Sequence, residues 1–310
     1  MSKRYLAIAS ALGLVTLLVT VLAAQTPRIL NGRVTAQPAG SLQQTFRAAV
    51  NAQTDIAWIG YSVPVANRER TMCCWSSGDG TTYISGSFSH GTCCGNCRIE
   101  PSDTTTAARQ SPAPSSTPTG PIKLEGSDRM VLLFRIADRQ VERVRAFSED
   151  CELDAGGRQV TWLQDVRPAE SVALLESLVG TDVSHKSRIS NAALSAIAMH
   201  AEPTADATLL RLARNHASPS VRGDAIFWLG QKAGQKAVGT ITEAIEKDPE
   251  TEVKRRAVFA LSQLPKDQGV PLLIDIAKKN SNPVVRKQAI FWLGQSKDAR
   301  ALEFFAEILK

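Results

Sequence analysis

The sequence predicts a mainly α protein, in which a C-terminal α-α solenoid follows a small cysteine-containing α+β domain. Three observations predict it. The heptad AIFWLGQ occurs at 225–231 and again at 289–295, 64 positions later. Residues 167–310 contain no cysteine and read as helix after helix. All six cysteines and most strand-like runs lie in residues 24–166. The compositional break falls near Val166-Arg167-Pro168 and predicts the domain boundary there.

The heptad is the visible part of a longer period. Four residues before it stands Val221; Val253 follows 32 residues later, and Val285 another 32 after that. The three segments read VRGDAIFWLGQ, VKRRAVFALSQ and VRKQAIFWLGQ, and a fourth, ISNAALSAIAM, precedes them at Ile189 in the same register. A second helical segment accompanies each copy: DATLLRLARN, VGTITEAIEK, VPLLIDIAKK and LEFFAEILK. The helix AESVALLESLV starts the array. Asp248-Pro249, Leu264-Pro265 and Asn282-Pro283 punctuate it with turn chemistry. Two antiparallel helices per 32-residue repeat cannot bury their apolar faces alone, so neighbouring repeats must stack.

The element Asn/Asp-Pro-x-Val-Arg-x-x-Ala-x-x-x-Leu-Gly, clearest at Asn282–Gly294, resembles the HEAT repeat. It is similar in particular to the short repeat class of phycobilin lyases and of many bacterial proteins without a known activity. The resemblance covers residues 167–310 and implies an extended binding surface rather than a fixed chemistry. Arg222, Lys254 and Arg286 match the basic position of the family pattern; the first copy departs there with Ser190. Deoxyhypusine hydroxylase, a family enzyme, binds di-iron through His-Glu pairs. None of His90, His185, His200 and His216 is followed by Glu, so that design is not written here. A lyase role would need a bilin-bearing partner, which nothing in the sequence indicates. Scattered histidines of this kind read as turn or surface residues. No cofactor is expected, and no catalysis by the solenoid.

A helical wheel separates the two aromatics of the heptad. With Val221 at zero and about 100° per residue, Ala225, Trp228 and Leu229 share one stripe. Phe227 falls at about 240°, away from it. Trp228 and Trp292 therefore belong to the edge of the core. Phe227, Phe259 and Phe291 form a ladder at one register, which reads either as an interaction site, as an apolar patch outside the core does, or as packing against neighbouring helices. Arg222, Lys254 and Arg286 complete the candidate binding set, although bonding to inter-repeat loops is the favoured role for them.

In the first domain, SLQQTFRAAVNA reads as a helix capped by Ser41, and DIAWIGYSVPV as a strand. RMVLLFRIADRQVERVRAFS reads as two strands around a turn at Ala137–Gln140, and RQVTWL as one more strand. Residues 101–121 are a Ser/Thr/Pro-rich tract that cannot bury a core. Cys73 and Cys74 are adjacent, Cys93, Cys94 and Cys97 cluster, and Cys151 stands apart. In an exported chain these six predict a disulfide framework of undetermined pairing. Zinc binding and redox chemistry through Cys94-x-x-Cys97 are weaker alternatives, because no second spaced pair and no strand-to-helix turn accompany it. Asp150, Glu152 and Asp154 alternate before Gly156-Gly157, a weak calcium pattern. The glycine comes one place late for an EF-hand loop, and position twelve is Thr161.

Lys3 and Arg4 precede an apolar run from Tyr5 to Ala24. With small residues at Val21 and Ala23, residues 1–23 read as a signal peptide, and the run's length leaves an uncleaved membrane anchor open. Export to the periplasm or beyond is expected either way. The formal charge is +6, two of it in Lys3 and Arg4, too weak and too mixed with carboxylates for nucleic-acid binding. The expected function is a scaffold or adaptor with an unidentified protein partner. The alternative is an enzyme or a metal- or redox-active protein with its site in the cysteine domain, where no nucleophile–base pair is legible.

Overall fold

The computed structural model describes residues 27–66, 97–100, 127–180 and 186–309. The apolar N-terminal run, the Ser/Thr/Pro-rich tract, Cys73, Cys74, Cys93, Cys94, His90 and His185 lie outside them.

A five-stranded mixed sheet organises the first part. Its strands are β2 (Arg33–Pro38), β3 (Ala57–Pro64), β5 (Arg129–Ala137), β6 (Gln140–Ser148) and β8 (Gln159–Gln164), in the order β2-β8-β3-β5-β6. β3 is antiparallel to β5 and parallel to β8. β5 and β6 form the expected hairpin. Asp138 and Arg139 both adopt positive φ, 51° and 56°, the left-handed pair that suits a two-residue turn to the twist of the strands. β1 (Ile29–Leu30), β4 (Cys97–Arg98) and β7 (Leu153–Asp154) make a small parallel sheet in the order β1-β7-β4. Sequence patterning gave no sign of β2 or of this second sheet.

Each face of the main sheet has its own cover. Helix α1 (Leu42–Asn51) lays Leu42, Phe46, Ala49 and Val50 on the face that carries Ile59, Tyr61 and Phe134. Their spacing follows the 3.6-residue period, so one stripe of the helix is buried. Trp58, Leu133, Val160 and Trp162 fill the opposite face together with Leu153 and Cys151.

Nine helices follow β8 among the described residues. They are α2 (Pro168–Ser177), α3 (Lys186–Met199), α4 (Pro203–Asn215), α5 (Pro219–Ala233), α6 (Val238–Lys247), α7 (Thr251–Ser262), α8 (Lys266–Lys279), α9 (Pro283–Ser296) and α10 (Ala299–Ile308). Proline opens α2, α4, α5 and α9, where its missing N–H has no intrahelical partner to lose. Asn282 accepts a bond from Val284 N at 2.9 Å and caps α9. The helices form two rows. α3, α5, α7 and α9 touch one another in succession, whereas α4, α6 and α8 mostly touch the first row and α10 touches both α8 and α9. The first row is therefore the inner, more tightly stacked side of the array.

The sheet and the solenoid share one cluster of buried side chains, from Ala39 and Phe46 through Tyr61 and Leu175 to Phe304. Backbone bonds reinforce the joint. Ala66 N donates to Met199 O at 2.8 Å and Ala201 N to Pro64 O at 3.2 Å, so the end of β3 pairs with the exit of α3.

Candidate interaction surface

The inner row carries a continuous line of aromatic rings. Phe227 and Trp228 meet edge to face at 5.0 Å between centroids. Phe227 stacks on Phe259 of the next repeat at 5.5 Å, and Phe259 meets Trp292 at 4.8 Å. Phe291 closes the line against Trp292 at 5.0 Å. The 32-residue period makes this possible, because it returns each Phe to the same height and angle on successive helices.

Burial grades along the line. Phe227, Phe259, Trp228 and Trp292 are half-buried, and Phe291 is 53% exposed. The two Trp residues pack on the core edge, and their rings also join the Phe ladder. Trp228 Nε1 donates to Asn191 Oδ1 of α3 at 3.2 Å. Between Phe259 and Trp292 a shallow crevice of about 210 Å³ opens, rimmed by Glu252, Arg255, Arg256 and Gln288. Arg255 donates to Glu252 at 2.9 Å and to Gln288 at 3.3 Å, and Arg256 pairs with Asp224 of the preceding repeat. Burial pushes the Asp224 carboxyl above its ordinary range, and the neighbouring Arg256 pulls against that shift. This face is thus apolar in the middle and rimmed by charges already tied to one another.

The three cations grouped with the ladder in the sequence reading do not line it. Arg222 is buried, with 8% exposure. Its guanidinium forms a two-pronged pair with Asp248 at 2.8 and 3.0 Å and donates to the carbonyls of His216 and Ala217. Lys254 Nζ donates to Glu246 O at 2.9 Å, and Arg286 to Asn280 O at 2.7 Å and Ser281 O at 3.1 Å. Each cation closes the carbonyl end of the helix before its own, where the helix dipole favours positive charge. Arg222, Lys254 and Arg286 therefore serve the turns. The physical reason is their wheel position, about 140° from the Phe register.

The acidic turn is likewise engaged locally. Glu152 pairs with Arg28, and Asp154 Oδ1 accepts from Gly156 N at 2.9 Å, an Asx turn. Among the described residues Asp150, Glu152 and Asp154 form no group able to hold a metal ion. The expected disulfide framework falls largely outside the described residues. Cys151 is buried beside Leu153, and the backbone of Cys97 pairs in register with Leu153. A second cleft, of about 570 Å³, lies between α1 and the edge strand β2. Arg33, Asp55, Arg158 and Thr161 are among its lining, with no histidine or cysteine.

One group was misjudged from sequence. His200 is not a surface or turn residue: it is fully buried, at the exit of α3. Its Nδ1 lies 2.7 Å from Ala196 O and its Nε2 lies 2.9 Å from Ser171 Oγ. Ser171 Oγ in turn lies 2.9 Å from the Tyr61 hydroxyl. Nothing local to His200 in sequence signals this, since Tyr61 and Ser171 are far away in the chain. His216 does sit in a turn, with Nδ1 accepting from Ser218 N at 3.1 Å.

Comparison with known proteins bears on the helical part. No curated protein matches the sequence. Among solved structures, the complex of CpcE and CpcF of phycocyanin lyase from Nostoc sp. PCC7120 is 19% identical. It covers 46% of this chain and 89% of that one at a TM-score of 0.36. Human deoxyhypusine hydroxylase in complex with glycerol is 20% identical, over 41% of this chain and 43% of that one, at a TM-score of 0.33. Escherichia coli YibA is 22% identical, over 46% and 54%, also at 0.33. Residues 240–310, from α6 to the end of α10, match the family model of HEAT repeats, so this stretch of the chain carries HEAT repeats.

Proposed function

We propose that this protein is an exported scaffold that captures a protein partner on the inner helix row, with the Phe227–Phe259–Phe291 ladder as its contact line. The observation that carries the reading is the aromatic line itself. Five rings touch in sequence across three repeats, and the last Phe is 53% exposed. Aromatic side chains held in register at an accessible face are the usual anchors of protein interfaces. A HEAT-repeat array supports the same reading, because stacked helix pairs offer an extended binding surface. Export rests on Lys3-Arg4 and the apolar run after them.

Photo-crosslinking tests it. A benzoylphenylalanine placed at Phe291 is compared with one at Lys247, an exposed position on the outer row. Crosslinks in cells should concentrate on one protein at position 291, and excess wild-type protein should compete them away. Equal, uncompeted labelling from both positions would show that the inner row is not the contact surface.

A further inference from the structure

The chain of polar groups at the joint between sheet and solenoid has a direction. Ala196 O is an acceptor only, so His200 Nδ1 carries the proton and donates to it at 2.7 Å. His200 Nε2 is then an acceptor and takes the Ser171 hydroxyl at 2.9 Å. Ser171 Oγ, having spent its proton, accepts the Tyr61 hydroxyl at 2.9 Å. Every side-chain donor in the relay is used, and all three side chains are fully buried. They come from β3, α2 and the exit of α3, so the relay spans the joint.

The relay fits the neutral imidazole alone. A proton on Nε2 would turn that atom into a donor facing Ser171. Ser171 would then either donate to Tyr61, whose hydroxyl would lose its acceptor, or accept from both neighbours with its own proton unpaired; either way one hydroxyl in a fully buried site is left unsatisfied. The charges nearby make matters worse. Lys232 on α5 donates to His200 O at 2.7 Å and holds an ammonium against the residue. Asp206 on α4 pairs with Lys232 at 3.0 Å and offsets it in part. Glu202 turns its carboxylate to Thr204 N at the start of α4. β3 and α2 present the uncharged Tyr61 and Ser171.

We infer that the Tyr61–Ser171–His200 relay is an acid-sensitive joint, which fastens the sheet to the solenoid at neutral pH and loosens under mild acid. Burial, with help from Lys232 and against the opposing pull of the backbone bond to Ala196, holds the imidazole down to about 4 from its ordinary 6.5. The depressed value fixes the sign. An opened joint takes up a proton below pH 6.5, whereas the closed joint resists until about 4, so closure weakens as pH falls through that window. From pH 7 to pH 5 the opening equilibrium should rise about twentyfold.

Hydrogen exchange on the full chain tests it, with intrinsic rates corrected for pH. The amides of Ala66 and Ala201, which bond across the joint, should lose protection about twentyfold between pH 7 and pH 5, ahead of amides in α7 and α9. In His200→Gln, which cannot titrate, that pH dependence should vanish. The His200 Cε1–H resonance of the wild type should titrate near 4, which keeps the idea testable if the variant does not fold. An imidazole that titrates near 6.5 would overturn the inference. So would joint amides whose protection follows that of α7 and α9 at every pH.

Discussion

The rings of Phe227 and Phe259 lie face to face, 5.5 Å between centroids and 2° from parallel, although 32 residues separate them. They belong to consecutive helices of the inner row, so the stack is a direct product of the repeat period. It also splits the ladder into two kinds of residue. Phe259 touches rings on both sides, whereas Phe291 ends the line and is the most exposed of the three.

Truncation should separate these roles. Phe259→Ala removes two aromatic contacts from a half-buried site and should lower stability by about 2 kcal/mol, below the value for a fully buried Phe. Phe291→Ala should change stability by no more than about 0.5 kcal/mol, as for other exposed positions. Urea unfolding followed by circular dichroism gives both numbers. Equal losses at the two positions would mean that the whole ladder serves the fold, which would count against a contact line at position 291.

The period explains why this half of the molecule was readable in advance. Val221, Val253 and Val285 are all buried at 4% or less, and α7 and α9 begin within two residues of the turns that Asp248-Pro249 and Asn282-Pro283 mark. The β5–β6 hairpin was equally plain, because alternation and a tight turn are local signals. The rest was set by distant pairings. β2 is exposed along its whole length and has no alternating pattern; it is a strand because it lies parallel to β8, more than a hundred residues away in the chain. The wheel placed Trp228 at the core edge correctly but could not show its ring reaching Phe227 and Asn191. His200 was misread for the same reason as β2, since its side-chain partner beyond its own helix, Ser171, comes from another element.

The glycines of the array should respond in opposite ways. Gly294, the glycine of the second heptad, has open space where a Cβ would stand. Gly294→Ala should therefore stabilise α9 by about 0.5–1 kcal/mol, the helix-propensity gain. At Gly269 an added Cβ would lie 2.5 Å from the backbone oxygen of Leu261, which cannot swing aside as a side chain could. Gly269→Ala should push α8 off α7 and cost more than about 1 kcal/mol. Thermal unfolding of the two variants beside the wild type gives the sign at each position; a fall at 294 or a rise at 269 would contradict the packing described.

Arg222 and Lys254 occupy the same place in successive repeats, and their substitution should differ sharply. Arg222 is buried with Asp248, whose side chain is 7% exposed, so Arg222→Ala leaves a carboxylate without its partner in a dry site. The loss should reach about 3 kcal/mol or more. Lys254 is half-buried and gives one bond, to Glu246 O, so Lys254→Ala should cost about 1 kcal/mol or less. Acid should expose the same difference. Burial works to raise the Asp248 carboxyl, but its bonds from Arg222 and Glu250 N prevail and hold it below the ordinary value of 3.8. A carboxylate lowered in the folded state adds stability above its unfolded value, and that stability is lost as pH falls through the folded one. The gap between wild type and Asp248→Asn should therefore be full at pH 6 and shrink below about pH 4. Urea midpoints across that range check it, and a gap that does not change with pH would mean that Asp248 is not held ionised by Arg222.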